Sequence, residues 1–390
     1  MEKQHMEKQH MFQNIKQWRL LATLGLTMGL GAAVSHSASA TSAVSTEVVA
    51  SGLSHPWAVA FVDDRTMLVT EREGNMRMVK ADGSVSDPLS GLPPIDAGRQ
   101  GGLLDVITDQ DFVQNRTIYF CYTRAAPDRS SLNSTALASA RLSEDGSALT
   151  EVRTLFVQDP VYRGGLHFGC RIVDPGDGTL LMGMGDRFQL MQEAQNKAND
   201  IGKVIRVNKD GTVPADNPFV NEAGASAAIW SYGHRNIQGA TLDSQGRLWM
   251  TEHGPQGGDE LNLIQPGVNY GWPVITYGVN YGGGQIGEGI VSAPGMAQPV
   301  TYWTPSIAPS GLAYLDTDRY GPDWQGSLLV GSLKFGQLVR LTFNGQEQVD
   351  KEDVLPSLGQ RVRDVRLGPD GLVYLVTDSS DGQVLRLLPN

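Results

Sequence analysis

The chain has 390 residues, 46 of them glycine and 20 proline, and a formal net charge of −11 at pH 7. The length suffices for a large core, and the acidity argues against nucleic acid as a partner. Abundant glycine and proline between short aliphatic runs favour strands and turns over long helices. Two cysteines, Cys121 and Cys170, are too few for a disulfide scaffold, and their spacing is no metal motif. Whether they pair depends on a geometry that spacing does not reveal.

In chain order, the first segment is the repeated pentapeptide MEKQHMEKQHM. Lys16 and Arg19 then precede an apolar run from Leu20 to Val34 and an A-x-A site at Ala38, Ser39 and Ala40. Basic, apolar and small residues in that order make a secretory leader. About fifteen apolar residues is short for a membrane span. Residues 1–40 are therefore expected to be a cleaved signal peptide, and the mature protein to be periplasmic or secreted with no membrane span.

From Thr41 a unit recurs: a polar or glycine-rich loop, a short apolar strand, a turn with Asp or Gly, a second apolar strand, and a more polar third strand. The units are Trp57–Val79, Leu103–Thr123, His167–Asp186, Gln238–Gly254, Ser310–Leu333 and Val362–Pro389. One such unit cannot bury both faces of its sheet, so neighbours stack in a ring. The expected fold is all-β, a six-bladed β-propeller with long functional loops on one face, residues 41–390 forming one catalytic domain. Thr46–Ser54 is a lone strand expected to close the ring on the last blade. Trp230–Trp272 reads as one blade with site loops at its ends. Long loops are expected at Leu89–Gly102, Val157–Leu166, Arg187–Ile201, Val213–Ile229 and Gly254–Pro309.

Four histidines follow the leader: His55, His167, His234 and His253. His167 stands just ahead of an inner strand, and Asp186 follows the strand paired with it. Such a pair is either a carboxylate-steered general base or a histidine merely bonded to a loop. Arg361 and Arg363 lie two apart, hence on one face of an extended strand. With Arg235, Lys334 and the neutral donor Gln100, they are expected to gather where inner strands begin, at one mouth of the channel. In an acidic protein that cluster fits an anion with several carboxylates or phosphates. The run Gly254–Glu260 offers carbonyls and carboxylates suited to Ca²⁺, yet by itself reads as a loop with a solvated acidic pair. Tyr270 reads as exposed. No HExxH, C-x-x-C, GxSxG or helix-opening GxGxxG occurs, which removes the usual support for zinc, serine-hydrolase and Rossmann chemistry.

The segments GRQGGLLD from Gly98, LHFG from Leu166, WSYGHRNIQG from Trp230, EHGPQGGDELN from Glu252, NYGWP from Asn269 and QRVRD from Gln360 together resemble the soluble quinoprotein aldose (glucose/sorbosone) dehydrogenases. The likeness spans residues 46–390. It implies pyrroloquinoline quinone (PQQ) and Ca²⁺ as cofactors, an aldose as substrate, an aldonolactone as product and an external electron acceptor. By that resemblance Gln100, Arg235, Asn236, Tyr281, Lys334, Phe335, Arg361 and Arg363 hold PQQ. Gly254 and Pro255 present carbonyls to the catalytic Ca²⁺, and Glu260 and Tyr270 serve a second calcium. His167 removes the proton of the anomeric hydroxyl, Asp186 orients it, and Arg235 helps polarise the quinone carbonyl that receives the hydride. Two departures from the family pattern stand beside the base: Cys170, where glycine is common, and Asp186–Gln189. The oligomer is left as monomer or homodimer. The alternative reading is a calcium-dependent lactonase or hydrolase propeller, which has no use for clustered Arg361, Arg363 and Lys334. A propeller that only binds ligand would lack the base or the clamp.

Overall fold

The computed structural model describes residues 44–344, 348–355 and 358–390; the expected leader lies outside them. Strand β1 (Val44–Leu53) precedes the first blade, which holds β2 (Pro56–Asp63), β3 (Thr66–Glu71) and β4 (Asn75–Lys80). Blade two holds β5 (Leu103–Thr108), β6 (Thr117–Ala126), β7 (Arg129–Leu142) and β8 (Leu149–Val157). Blade three holds β9 (Gly169–Val173), β10 (Thr179–Met184), β11 (Lys203–Asn208) and β12 (Ile229–Tyr232). Blade four holds β13 (Ile237–Leu242), β14 (Leu248–Glu252), β15 (Asp259–Ile264) and β16 (Thr301–Trp303). Blade five holds β17 (Pro309–Tyr314), β18 (Leu328–Ser332), β19 (Leu338–Asn344) and β20 (Gln348–Leu355). Blade six holds β21 (Val362–Leu367), β22 (Val373–Thr377) and β23 (Gly382–Pro389), and β1 completes it by antiparallel pairing with β23.

The six-bladed architecture is the one expected from the repeats, with three differences in detail. The segment Gly254–Pro309 contains β15 and β16; alternating DELNLI lies within glycine- and asparagine-rich sequence that hides its period. Trp230 belongs to β12, the outer strand of blade three, so Trp230–Trp272 spans two blades. The segment Arg187–Ile201 holds a short 3₁₀ helix, Met191–Gln195.

Each sheet is buried on both faces. Along β2 and β3, Ala58 and Leu68 pack towards blade two with Leu104, Phe120 and Ile172. Their neighbours Val59 and Val69 pack the other way, with Val365, Leu375 and Leu385 of blade six. Successive strand residues point to opposite faces, so an unbroken apolar run serves two interfaces at once.

The channel axis carries charge. Asp105 on β5 and Asp364 on β21 are both fully buried, and Arg171 on β9 lies 3.3 and 2.8 Å from them. Arg366 on β21 pairs with the same two carboxylates at 2.5 and 3.0 Å. Asp364 also accepts the amide of Val59, and Arg171 donates to the carbonyls of Gln238 and Arg363. The network thus joins the inner strands of blades one, two, three, four and six. Blade five reaches the same axis through Ser310, whose hydroxyl donates to Val362 O.

Cys121 on β6 and Cys170 on β9 form a disulfide with a Cα–Cα distance of 5.8 Å, tying blade two to blade three. Removing one partner of a buried ion network leaves the others unpaired, so Arg171→Met should lower unfolding free energy by about 3–5 kcal/mol in urea titration. The double variant Cys121→Ala/Cys170→Ala reopens a 49-residue separation and should cost about 2–4 kcal/mol in the same measurement.

Candidate active site

Inner strands begin, and second strands end, at one mouth of the channel. From that arrangement comes a pocket lined by Trp57, Gln238 and Arg363 of inner strands and by Arg72, His253 and Leu333 just past second strands, with Gln100, Asn236 and Arg361 beside them. It encloses about 510 Å³ of empty space open to solvent. The ion network lies along the same inner strands, and the Arg171 guanidinium sits 4.1 Å from the ring of the lining Trp57.

His167 sits at the edge of this pocket, buried, between Gln100 and the lining residues Phe168 and Gly169. Its amide donates to Gln100 Oε1 at 2.8 Å, and its Nδ1 lies 2.6 Å from Asp186 Oδ1. No hydrogen bond from the described residues reaches Nε2. Burial holds the imidazole below its ordinary pKa; Asp186 opposes that shift, while Arg235 and Arg187 add to it. A neutral ring with Nδ1 tied to a carboxylate and Nε2 open is suited to accept a proton.

Asp186 is itself fully buried and saturated. Oδ1 also accepts the amide of Phe188 at 2.7 Å, and Oδ2 accepts Trp272 Nε1 at 2.8 Å. The surrounding backbone is tight. A Cβ on Gly169 (φ +68°) would come within 2.6 Å of Met184 Cα, and one on Gly185 would strike the His167 carbonyl. His167, Cys170, Arg187 and Phe188 all adopt positive φ, four of the nine described non-glycine residues that do. Strained backbone of this kind concentrates where function over-determines the geometry.

Of the expected cluster, Gln100, Arg361 and Arg363 line the pocket. Arg235 is buried, donates to the His253 carbonyl at 2.9 Å, and lies 5.3 Å from the Trp272 ring and 6.0 Å from Tyr281. Arg361 and Arg363 share Asp378 Oδ2 at 3.1 and 2.9 Å. Burial opposes the charge of Asp378, but Arg363, His55 and Arg361 outweigh it and hold its carboxyl well below the usual range. Burial lowers Arg363 to about 10, still charged at neutral pH. One carboxylate for two guanidinium groups leaves positive charge facing the pocket. Asn236 accepts the Gly169 amide through Oδ1, leaving its NH₂ without a partner among the described residues. Lys334, Phe335 and Tyr281 do not line the pocket but stand exposed near it, Lys334 directly after the lining Leu333.

Two buried donors, Nε of the lining Arg363 and Nε of Arg235, have no acceptor among the described residues. Unmet guanidinium donors at and near the pocket fit a ligand with several carboxylates. PQQ has three, so this donor set suits it.

The residues expected to hold metal fall in two places. Gly254 and Pro255 follow the pocket residue His253, and neither carbonyl accepts a hydrogen bond from the described residues. Glu260 lies across the strand pair from Glu252, and Asn262 Nδ2 donates to both carboxylates at 3.1 and 3.0 Å. Burial first, and Glu252 second, push Glu260 up to about 8. Asn262 Oδ1 is a buried acceptor without a donor among the described residues. Crowded carboxylates beside an unmet carbonyl oxygen suit a hard cation. Asp259 is not part of a solvated pair: it is fully buried and accepts the amides of Gly254, Ile307 and Ala308. Tyr270 is likewise buried rather than exposed, stacked on His234 at 4.8 Å, with its hydroxyl donating to Leu263 O and accepting from the Gln265 amide. Only its carbonyl is left to serve a cation.

Sequence reading missed Trp57, Gln238, His253 and Trp272 at the site, and the ion network below it. A signal for part of the network exists: Asp105 and Arg171 each interrupt an otherwise apolar inner strand.

Fold and pocket together define a six-bladed propeller with a carboxylate-bound histidine beside a cationic cavity. A family model described as glucose / sorbosone dehydrogenase matches residues 53–386. The aldose sugar dehydrogenase YliI of Escherichia coli (strain K12) is 44% identical over 350 residues, covering 89% of this chain and 93% of that protein. The apo crystal structure of the soluble aldose sugar dehydrogenase from Escherichia coli superposes with a TM-score of 0.84 at 43% identity, covering 89% of this chain and all of that one. The PQQ-bound aldose sugar dehydrogenase of Streptomyces coelicolor gives 0.72 at 28% identity, covering 89% and 99%. The chain belongs to the glucose/sorbosone dehydrogenase family, and it is an oxidoreductase.

Asp186→Asn removes the charge that steers His167 while keeping its size, and kcat should fall by about 10²–10⁴-fold. Since the folded imidazole titrates below its ordinary value and must be neutral to act, the acid limb of the wild-type kcat/KM profile should lie below pH 6.5. A pH–rate series measures both.

Proposed function

We propose that the protein oxidises aldoses at C1 to aldonolactones, using PQQ and Ca²⁺ and passing electrons to an external acceptor. The observation that carries this is the open Nε2 of His167, fixed by Asp186, beside a guanidinium-lined pocket where Arg363 Nε and the nearby Arg235 Nε have no acceptor among the described residues. Bound PQQ with Ca²⁺ supplies the two-electron acceptor for the C1 hydride. Arg235, Arg361, Arg363 and Lys334 would hold its carboxylates, with Gln100 and Asn236 as neutral partners and Tyr281 and Phe335 at its rim. Gly254 and Pro255 would offer carbonyls to the catalytic ion, and the Glu260 carboxylate and Tyr270 carbonyl a second calcium. His167 takes the anomeric hydroxyl proton at Nε2, and Asp186 stabilises the imidazolium that results.

A lactonase reading needs an open carboxylate cage at the channel. The channel carboxylates Asp105 and Asp364 are instead neutralised by Arg171 and Arg366. Export of the mature chain after loss of residues 1–40 is part of the proposal. The disulfide supports it, because such bonds persist in oxidising compartments. No helix among the described residues is long and apolar enough to cross a membrane.

Dye reduction by apoprotein with a panel of aldoses, adding PQQ and Ca²⁺ separately and together, tests the reading. Activity is expected only with both. His167→Ala should bind PQQ normally in an absorbance titration and lose nearly all turnover, whereas Arg361→Ala should raise the PQQ needed for half-activity. Absence of PQQ binding would transfer the case to the lactonase.

A further inference from the structure

The segment after β10 departs from what the family pattern predicts, and its geometry is unusual in a second way. Arg187 and Phe188 are consecutive non-glycine residues with φ of +57° and +69°. The first turns inward. Its guanidinium is 1% exposed, lies 4.1 Å from the Phe168 ring, and donates to the carbonyls of Leu166, Asn133 and Gly164 and to Asn133 Oδ1. The second turns outward. Phe188 is 41% exposed, yet its amide is pinned by Asp186 Oδ1, the same oxygen that orients the base. Its ring meets the His167 ring at 5.2 Å and 86°.

The loop is anchored by Arg187 and Asp186, and a glycine at 188 would take the left-handed backbone without strain. A bulky aromatic is held there, partly in water, against the His167 ring. Aldopyranoses present polar edges and an apolar face of ring C–H groups, and an aromatic ring is a rigid apolar surface suited to such a face.

We propose that Phe188 is a specificity-determining residue, the aromatic wall on which the C–H face of an aldopyranose lies while its C1 hydroxyl meets His167 Nε2. This rests on the proposed aldose oxidation. The wall favours closed pyranose rings over open-chain polyols, which lack a flat apolar face.

The test compares wild type, Phe188→Gly and Phe188→Tyr as full chains reconstituted with PQQ and Ca²⁺. Wild type is assayed first. If it binds PQQ but oxidises no aldose, the aldose reading falls and the wall with it. With wild-type activity established, Phe188→Gly should keep its PQQ titration and its melting temperature, because glycine suits the backbone. Its KM for aldopyranoses should rise about tenfold with kcat within about twofold, since an interaction equal in ground and transition states is lost. Phe188→Tyr, which keeps the ring, should restore KM. Unchanged KM in Phe188→Gly would overturn the proposal. So would a loss confined to kcat, which would make Phe188 a positioning residue for His167, or a raised PQQ requirement, which would make it a cofactor contact.

Discussion

The ring depends on four charges at its axis, three of them buried. Two carboxylates, Asp105 and Asp364, and two guanidinium groups, Arg171 and the part-buried Arg366, neutralise one another, with Arg171 packed on Trp57. Burying ions is costly, and an isosteric apolar plug would often be as stable. What the network provides is direction. Arg171 donates through Nε to the Gln238 carbonyl and through NH2 to that of Arg363, while the Gln238 side chain receives Arg363 NH1 at 3.1 Å. Five inner strands are thereby fixed in register around a point, and the clamp guanidinium beside them is fixed too. Because the axial charges cancel, the positive charge of the pocket comes from the lining Arg72, Arg361 and Arg363, with Arg235 nearby.

A second hub works at the edge of the pocket. Asp186 has two oxygens and serves three elements: the base, the loop carrying Phe188, and the Trp272 indole against which Arg235 stacks. The base and the cationic wall therefore cannot shift independently. The disulfide adds covalent support, since Cys170 follows His167 by three residues and is held to β6.

The blades are legible in the sequence because each repeats two apolar strands around an Asp- or Gly-containing turn, a local pattern. The gathering of Gln100, Arg235, Asn236, Arg361 and Arg363 follows from that pattern, as all precede or begin inner strands. Strands β15 and β16 are harder to see, being short and set in glycine-rich sequence. The burial of Tyr270 and Asp259 was hidden because it depends on partners from other segments, His234 in one case and the Ile307 and Ala308 amides in the other. Pairing of Cys121 with Cys170 depends on two strands of different blades lying side by side. The outward turn of Phe188 rests on backbone angles that residue type disfavours, so no propensity rule reaches it.

Ring closure sets an order of events. Val44 pairs with Pro389, so the final sheet joins the first strand of the chain to its last. A chain emerging from the ribosome delivers β1 long before β23 exists. Until then the ring is an open arc, and Asp364 and Arg366 are not in place to meet Asp105 and Arg171. The pocket cannot exist before blade six, because Arg363 lies on the same strand as Asp364. Loading of any cofactor in that pocket therefore has to follow synthesis of blade six, and a chain without that blade would have neither ring nor clamp.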